Sequence, residues 1–288
     1  MQRIKTLSEY FKKYELSEKD PEKFWSEIAD SFIWKKKWDN VLESDFENAD
    51  FKWFKNAQLN ITENIFERNL SERGDKTAII WEPNDPKESP IYLSYKELYE
   101  QTCTFSNALR SKGIKKGDRV IIYMPMVPEA AIAMLACARV GAVHSVVFAG
   151  FSAASLADRI NDCEAKMVLT SDGNFRGNKT IPVKDVVDEA LEKCSSIESV
   201  IVLERTKQNI NMEDGRDFWW HECVKDEPNT CDSEVMDSED LLFILYTSGS
   251  TGKPKGVVHS SAGYMIYSSY TFLNVFQYDE DDIYWCTA

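Results

Sequence analysis

Residues 246–256 read YTSGSTGKPKG, and the apolar run LLFIL stands directly before them at residues 241–245. A short apolar run that meets small and turn-forming residues predicts a buried strand leading into a loop. Glycines let such a loop bend so that backbone N–H groups face anionic oxygens, and hydroxyl and lysine side chains add donors and positive charge. We therefore predict a loop that binds a polyphosphate. Its residues are Thr247, Ser248, Gly249, Ser250, Thr251, Gly252, Lys253 and Lys255.

The loop differs from a Walker A loop, whose pattern is G-x-x-x-x-G-K-[ST]. Only two residues separate Gly249 from Gly252, and Pro254 rather than a hydroxyl residue follows Lys253. The valines that begin at Val257 favour a strand rather than a helix after the loop. A flexible glycine–serine turn is the alternative. The two lysines, the four hydroxyl residues and the preceding apolar run favour the phosphate site.

This stretch resembles the phosphate-binding signature of the adenylate-forming superfamily, which includes acyl-CoA synthetases, firefly-type luciferases and the adenylation domains of peptide synthetases. The resemblance implies that the loop binds the phosphates of ATP. Two further stretches resemble the acetyl-CoA synthetases within it. Residues 141–152, GAVHSVVFAGFS, are similar to the segment that packs against the adenine end of coenzyme A (CoA), with Ala149 where many members have glycine. Residues 172–179, DGNFRGNK, are similar to the R-x-G-[RK] loop for the phosphates of CoA.

The resemblance implies that seven residues bind CoA: Phe148, Ala149, Gly150, Arg176, Gly177, Asn178 and Lys179. Arg176 offers a planar fork and Lys179 a point charge, and both suit phosphate oxygens. The alternatives are a plain strand-to-helix turn in the first stretch and a solvated basic loop in the second. The second stretch follows a predicted strand at residues 166–170, where open sheets bind ligands, and this position favours the phosphate site.

Three stretches near the N-terminus resemble the N-terminal extension of acetyl-CoA synthetases: DPEKFWSEIA (20–29), WFKNAQLN (53–60) and RGDK (73–76). Asn56 and Ala57 stand where the family usually has glycines. Pro21 predicts a helix start, with Phe24 and Ile28 on one face. We expect residues 1–75 to form an irregular helical extension and residues 76–288 to form the first part of an AMP-binding domain.

From Thr77 onward, short apolar strands alternate with amphipathic helices, which predicts an α/β fold with largely parallel sheets flanked by helices. Residues 77–81 and 91–93 are expected to pair as a hairpin. Ser94 and Glu97 form a predicted capping box that opens the next helix.

Three more elements are predicted further along the chain. Pro128 is expected to start an alanine-rich helix. Residues 204–240 are interpreted as a surface excursion anchored by Trp219 and Trp220. The apolar run 283–288 predicts a strand, and we expect the chain of the family to continue beyond it.

The overall composition limits the classes of partner. The chain has 288 residues, of which 34 are Lys or Arg and 48 Asp or Glu, and the net charge of −14 argues against a nucleic-acid surface. No apolar run approaches the roughly 18 residues of a membrane span, and the first residues lack a signal-peptide core, so we expect a cytoplasmic protein without a membrane partner. The seven cysteines form no C-x-x-C pair, so no metal site is predicted. His144, His221 and His259 have no carboxylate at a telling spacing and are interpreted as structural.

The resemblance implies a two-step ligase that uses ATP, Mg²⁺ and CoA. Acetate attacks the α-phosphorus of ATP to give acetyl-adenylate and pyrophosphate, and the thiol of CoA then displaces AMP. The catalytic residues and the acyl pocket are expected after Ala288, so the printed chain alone is expected not to turn over. A propionyl-CoA ligase or another short- or medium-chain acyl-CoA ligase remains an alternative, because it would share residues 246–256 without needing Arg176 and Lys179. A binding-only module is the other alternative, and the oligomeric state stays open.

Overall fold

The structure is a computed structural model that describes Met1 and residues 3–247 and 254–285. The helices in chain order are α1 (Leu7–Lys19), α2 (Pro21–Ala29), α3 (Ile61–Ile65), α4 (Leu70–Arg73), α5 (Tyr95–Ser111), α6 (Pro128–Arg139), α7 (Ala153–Cys163), α8 (Val183–Leu191), α9 (Trp220–Val224) and α10 (Ser261–Val275). The strands are β1 (Asn40–Asp45), β2 (Asp50–Lys55), β3 (Gln58–Leu59), β4 (Thr77–Trp81), β5 (Ile91–Ser94), β6 (Arg119–Tyr123), β7 (Val143–Val146), β8 (Met167–Ser171), β9 (Asn174–Arg176), β10 (Lys179–Ile181), β11 (Ser199–Leu203), β12 (Asp217–Trp219), β13 (Met236–Asp237), β14 (Leu241–Thr247) and β15 (Lys255–Ser260).

The chain divides into two compact units. The first comprises Met1–Ile61, Val235–Asp240 and His259–Ala288, and the second comprises Thr62–Glu234 and Leu241–Val258. The predicted boundary between residues 75 and 76 stays a prediction. No helix in the described part of the chain is both long and apolar enough to cross a membrane.

The first unit is built around aromatic side chains. Phe24 and Ile28 of α2 are buried together with Phe54 of β2. Four partly buried tryptophans pack against this cluster, namely Trp25, Trp34, Trp38 and Trp53. Pro21 occupies the first turn of α2, and Asp20 caps that helix by accepting a hydrogen bond from the N–H of Lys23 at 3.0 Å. Both features match the predicted helix start.

The turn after β2 explains one departure from the family pattern. Asn56 has a φ of 62°, in the left-handed region that favours glycine. Asparagine is one of the few other residues that adopt this conformation at small cost. The N–H of Ala57 donates to the carbonyl of Phe54 at 3.0 Å and closes the turn. The turn therefore forms although Asn56 replaces a glycine.

The second unit contains a seven-stranded sheet with the strand order β12-β11-β8-β6-β7-β14-β15. The pairings from β12 through β14 are parallel. Residues 120–122, 167–169 and 200–202 are buried on both faces of the sheet, as continuous apolar strands of parallel sheets are. One hydrophobic core packs under α5 and α6 and the other under α7 and α8, so helices cover the two opposite faces. The predicted α/β class with a largely parallel sheet is confirmed.

Local predictions in this unit also hold. Strands β4 and β5 pair as an antiparallel hairpin. The hydroxyl of Ser94 accepts from the N–H of Glu97 at 3.2 Å, and the Glu97 carboxylate accepts from the N–H of Ser94 at 2.8 Å, which is the predicted capping box. Pro128 is the first residue of α6.

Two predictions are wrong. The segment 204–240 is not only a surface excursion, because β12 extends the central sheet. Its predicted anchor is present, since the buried Trp220 stacks on Phe105 with 3.6 Å between ring centroids. A three-residue strand is too short to show a hydrophobic period, so no pattern in these residues predicts β12. Residues 283–285, the described part of the predicted last strand, form no strand and are exposed. Apolar composition alone does not make a strand, and residues 283–285 pair with no strand in the described part of the chain.

The topology fixes where a ligand site is expected. The chain passes from β6 to its neighbour β7 on one side, then crosses to β8 on the other side of β6. The loops after β6 and β7 therefore diverge to opposite faces, which defines a topological switch point at the carboxyl edge of the sheet. Met126 and Phe148 lie in these two loops and are 87% and 68% exposed.

Candidate functional site

The predicted ATP-phosphate loop begins at the carboxyl end of β14. Thr247 ends that strand, and the exposed Lys255 begins its sheet neighbour β15. The strand predicted after the loop is therefore present. The other predicted residues lie outside the described part of the chain: Ser248, Gly249, Ser250, Thr251, Gly252 and Lys253.

Tyr246 fixes the end of β14 to helix α7. Its hydroxyl donates to the carboxylate of Asp162 at 2.7 Å, and burial together with this hydrogen bond raises the pKa of the phenol well above its ordinary value. The guanidinium of Arg159, one turn earlier, lies 5.4 Å from the centroid of the Tyr246 ring and 4.8 Å from that of Phe151. Gly256 allows β15 to pass close by, because a Cβ atom there would lie 3.3 Å from the Tyr246 ring.

The predicted segment for the adenine end of CoA follows β7. Its Phe148 ring is exposed and lies against Gly150, at the place where a side chain on residue 150 would begin. The Phe151 carbonyl accepts a hydrogen bond from the Tyr123 hydroxyl at 2.7 Å. Ala149 is half-buried and packs against the core under α7. The segment therefore presents the Phe148 ring to solvent from an anchored turn.

The second predicted CoA stretch is a hairpin of β9 and β10 with a two-residue turn. Arg176 and Lys179 are directly opposite each other in the antiparallel register, so their side chains leave the same face of the hairpin. Gly177 has a φ of 57°, which a type II′ turn places at its first central residue. Within the described residues, neither cation has a carboxylate within salt-bridge distance.

The other face of the hairpin is packed. Phe175 points there, and the guanidinium of Arg205 lies 5.0 Å from its ring centroid and 5.1 Å from that of Trp81. The Trp81 indole N–H donates to the carbonyl of Met126 at 2.7 Å, which connects this stack to the loop after β6. Because one face is covered, Arg176 and Lys179 are directed away from the packed side.

Asp172 organises the loops at the ends of β8 and β11. Its buried carboxylate accepts hydrogen bonds from the N–H groups of Gly173, Arg205, Thr206 and Gln208 at 2.7, 2.8, 3.0 and 3.2 Å. These bonds hold the base of the hairpin next to the carboxyl edge of the sheet.

The three predicted ligand segments follow β7, β8 and β14, which run parallel in one sheet, so the fold brings them to the same edge. The sequence reasoning missed the supports of these segments, namely Trp81, Asn84, Arg159 and Arg205. Asp172 stood within a quoted stretch but received no role. Packing partners of this kind come from distant parts of the chain and leave no local pattern.

The histidine in β7, His144, is a buried residue of the sheet. His144 is buried with its ring 5.5 Å from that of Phe243 on β14, and its Nδ1 atom has no hydrogen-bond partner within the described residues. Burial lowers the pKa of this imidazole to about 4. His144 therefore stays neutral at physiological pH.

Cysteines and acidic residues show no metal-binding arrangement in the described ranges. The six described cysteines are free thiols. Outside the gaps at residues 2, 248–253 and 286–288, no group of three or more His, Cys, Asp or Glu side chains is placed to hold a metal ion.

Comparison with known proteins gives the family. Residues 66–288 match the family described as AMP-binding enzyme, and residues 10–65 match the acetyl-coenzyme A synthetase N-terminus. The chain is 53% identical over 280 residues to an acetyl-coenzyme A synthetase of Syntrophobacter fumaroxidans, a match that covers 97% of this chain and 43% of that protein. It is 49% identical over 284 residues to the acetyl-coenzyme A synthetase of Alkalilimnicola ehrlichii, covering 98% and 44%. The chain thus spans less than half the length of these curated relatives.

A solved structure agrees with the sequence matches. The acetoacetyl-CoA synthetase from Streptomyces lividans superposes with a TM-score of 0.82 at 26% identity, covering 90% of this chain and 39% of that one. The fold, the switch-point edge and the family matches lead to one assignment. The chain belongs to the AMP-binding enzyme family and carries the N-terminal region typical of acetyl-CoA synthetases.

Proposed function

We propose that this chain serves an AMP-forming acyl-CoA ligase that activates acetate. Acetate attacks the α-phosphorus of ATP, which forms acetyl-adenylate and releases pyrophosphate. The thiol of CoA then attacks the acetyl carbon and releases AMP, giving acetyl-CoA and a proton. In this scheme residues 247–255 bind the ATP phosphates, and Phe148–Gly150 with Arg176–Lys179 bind CoA.

One observation carries the proposal, namely that Arg176 and Lys179 face each other across a two-residue turn. Like charges directly opposite in an antiparallel pair repel and destabilise the hairpin. A phosphate group between them would turn this repulsion into two charge-assisted contacts. The arrangement therefore suits a phosphorylated ligand such as CoA better than it suits a free surface hairpin.

The placement of the ATP loop supports the same scheme. Thr247 and Lys255 bracket it at the carboxyl end of a parallel strand, where open α/β sheets bind nucleotides. Mg²⁺ is proposed to arrive with ATP, because this ion is held mainly by phosphate oxygens and water with few protein ligands. When bound, it would neutralise phosphate charge, while Thr247 would supply a hydroxyl and Lys255 a positive charge.

The choice of acetate rests on the relatives. Proteins about 50% identical to this chain are named acetyl-coenzyme A synthetase, whereas the acetoacetyl-CoA synthetase is only 26% identical. We also propose a cytoplasmic location, which the free thiols of the described cysteines support, since they fit a reducing compartment.

The test uses the product of the complete gene and two assays on one preparation. Acetate-dependent exchange of pyrophosphate into ATP reports the first step, and acetyl-CoA formation across a CoA titration reports the second. Replacing Arg176 by alanine should leave the exchange nearly unchanged. The KM for CoA should rise about tenfold to a hundredfold, since a hydrogen bond to a charged group is worth roughly 1.5–3 kcal/mol. Arg176→Lys should recover only part of the loss, because the two-pronged geometry is gone.

Lys193→Ala is the matched control. Lys193 is also an exposed cation, but it follows α8 and precedes β11, at the amino edge of the sheet. It should change neither assay. A wild-type protein without acetate-dependent exchange of pyrophosphate into ATP would refute the proposed ligase activity. An unchanged KM for CoA in Arg176→Ala would show that Arg176 is a solvated surface residue without a role in CoA binding.

A further inference from the structure

The turn between β9 and β10 is held from outside the hairpin by one side chain. The Nδ2 group of Asn84 donates to the carbonyl of Gly177 at 3.1 Å, and the N–H of Gly177 donates to Oδ1 of Asn84 at 3.2 Å. The amide thus satisfies both polar groups of the glycine backbone, in the way that a neighbouring strand would. Asn84 lies in the loop between β4 and β5, about ninety residues earlier in the chain.

The loop that carries Asn84 is itself fixed beside the hairpin. At its start, Trp81 stacks on Arg205, which also stacks on Phe175 of β9. Further along, the carboxylate of Glu88 lies 3.9 Å from the same guanidinium. Contacts with the packed face of the hairpin therefore hold the loop in the position from which Asn84 reaches the turn.

The turn needs such a support because its two flanking residues repel each other. Arg176 and Lys179 are opposite cations, and Gly177 between them is a residue with unusual backbone freedom. Without a partner for the Gly177 backbone, the strand ends are free to splay and separate the two charges. A phosphate binds best when the two cations already stand at the distance it requires.

We propose that Asn84 is a positioning residue for CoA: it holds the Gly177 backbone so that Arg176 and Lys179 converge on one phosphate group. This inference rests on the proposed function, since it assigns a task within the same CoA site. Asn84 acts through the turn and does not itself contact the ligand.

The first measurement is amide hydrogen exchange in the complete gene product, followed by mass spectrometry of peptides covering residues 174–181. Asn84→Ala should speed exchange in these peptides at least threefold, because the acceptor for the Gly177 N–H is removed, and should leave residues 199–203 unchanged. Asn84→Asp keeps that acceptor, so its exchange should stay close to the wild-type rate. Equal exchange in wild type and Asn84→Ala, or equally fast exchange in both variants, would overturn the contact.

The second measurement is kinetic. Asn84→Ala should raise the KM for CoA about tenfold, which corresponds to about 1.4 kcal/mol, while kcat at saturating CoA and pyrophosphate exchange stay within twofold. Asn84→Asp should also raise this KM, because it loses the donor to Gly177 and places a negative charge beside the turn. Ser89→Ala, an exposed position of the same loop, is the control and should change nothing.

The results of these measurements distinguish the positioning role of Asn84 from the proposed function on which it rests. Faster exchange with an unchanged KM for CoA would show that the turn is held but has no task in CoA binding, which overturns the positioning role. Equal loss in the two half-reactions would reduce Asn84 to a folding role. A wild-type protein that neither binds nor uses CoA would refute the proposed function, and the positioning role with it, whereas the exchange data would still decide whether Asn84 holds the turn.

Discussion

Acid sensitivity should depend measurably on His144. Its pKa is about 4 in the folded chain, against an ordinary value of 6.5, because the ring is buried beside Phe243. As the pH falls below 6.5, the unfolded chain binds a proton on this histidine while the folded chain does not. The stability that the folded chain owes to a neutral His144 is therefore fully retained above about pH 6.5 and is lost progressively as the pH falls toward 4.

The size of the effect follows from the two pKa values. The free energy of unfolding should drop by about 1.4 kcal/mol at pH 5.5 and by about 2.6 kcal/mol at pH 4.5, with a limit of about 3.4 kcal/mol. Other groups also titrate in this range, so the measured quantity is the difference between wild type and His144→Leu. Leucine cannot titrate and leaves no polar atom unpaired in the core, so stability at pH 7.5 should stay within about 1 kcal/mol.

Urea unfolding followed by tryptophan fluorescence at pH 7.5, 6.5, 5.5 and 4.5 provides the assay. The variant should lose less stability than wild type at each step below pH 6.5. His221→Leu, at an exposed position, should follow the wild-type curve. Parallel curves for wild type and His144→Leu would refute the reasoning, since they would show that burial does not suppress protonation of this ring.

Two further substitutions test buried charges by urea unfolding. Lys184→Met should cost about 3–5 kcal/mol, because the fully buried ammonium lies 2.7 Å from Asp188 and 2.8 Å from Asp217, and unaltered stability would contradict this. Burial tends to raise the pKa of the Asp217 carboxyl, but hydrogen bonds from Arg216 and Lys184 lower it overall. The stability that this ionised carboxylate contributes is present above its pKa in the unfolded chain and is lost as the pH falls through its pKa in the folded chain. Because Lys184→Met removes one of these hydrogen bonds, this variant should lose stability at a higher pH than wild type does. Asp172→Ala should lower the free energy of unfolding by at least about 3 kcal/mol, because it leaves several buried N–H groups without an acceptor. Asp172→Asn should lower it clearly less. Equal losses in the two variants would show that the hydrogen bonds accepted by Asp172 are not the cause.

The sequence predicts the elements whose cause is local. The Ser94 cap and the start of α6 each depend on residues within a few positions of one another. The hairpin of β4 and β5 joins two apolar runs that are adjacent in the chain. The parallel sheet is predicted for a related reason, since apolar runs such as 120–122 and 167–169 need cover on both faces.

Features that depend on distant partners were not predicted. Strand β12 exists because β11 offers an edge to it, and its own residues show no period. Within the candidate site, Arg176 and Lys179 are visible as a motif, whereas the register that sets them opposite each other requires the hairpin. Asn84 stands in a proline-containing loop that gives no signal of its contact with Gly177.

The position of β14 in the sheet has a consequence for synthesis. Strand β14 pairs with β7, yet roughly 95 residues of chain separate them, and the strands β8, β11 and β12 are made in between. At 5–20 residues per second, β7 remains an unpaired edge for about 5–20 s after it leaves the ribosome. Unpaired edges invite pairing with other chains, and the polar residues His144 and Ser145 within this short strand make it a poorer template for such pairing. Strand β14, which leads to the predicted ATP-phosphate loop, therefore closes an edge of β7 that stays unpaired while the intervening chain is made.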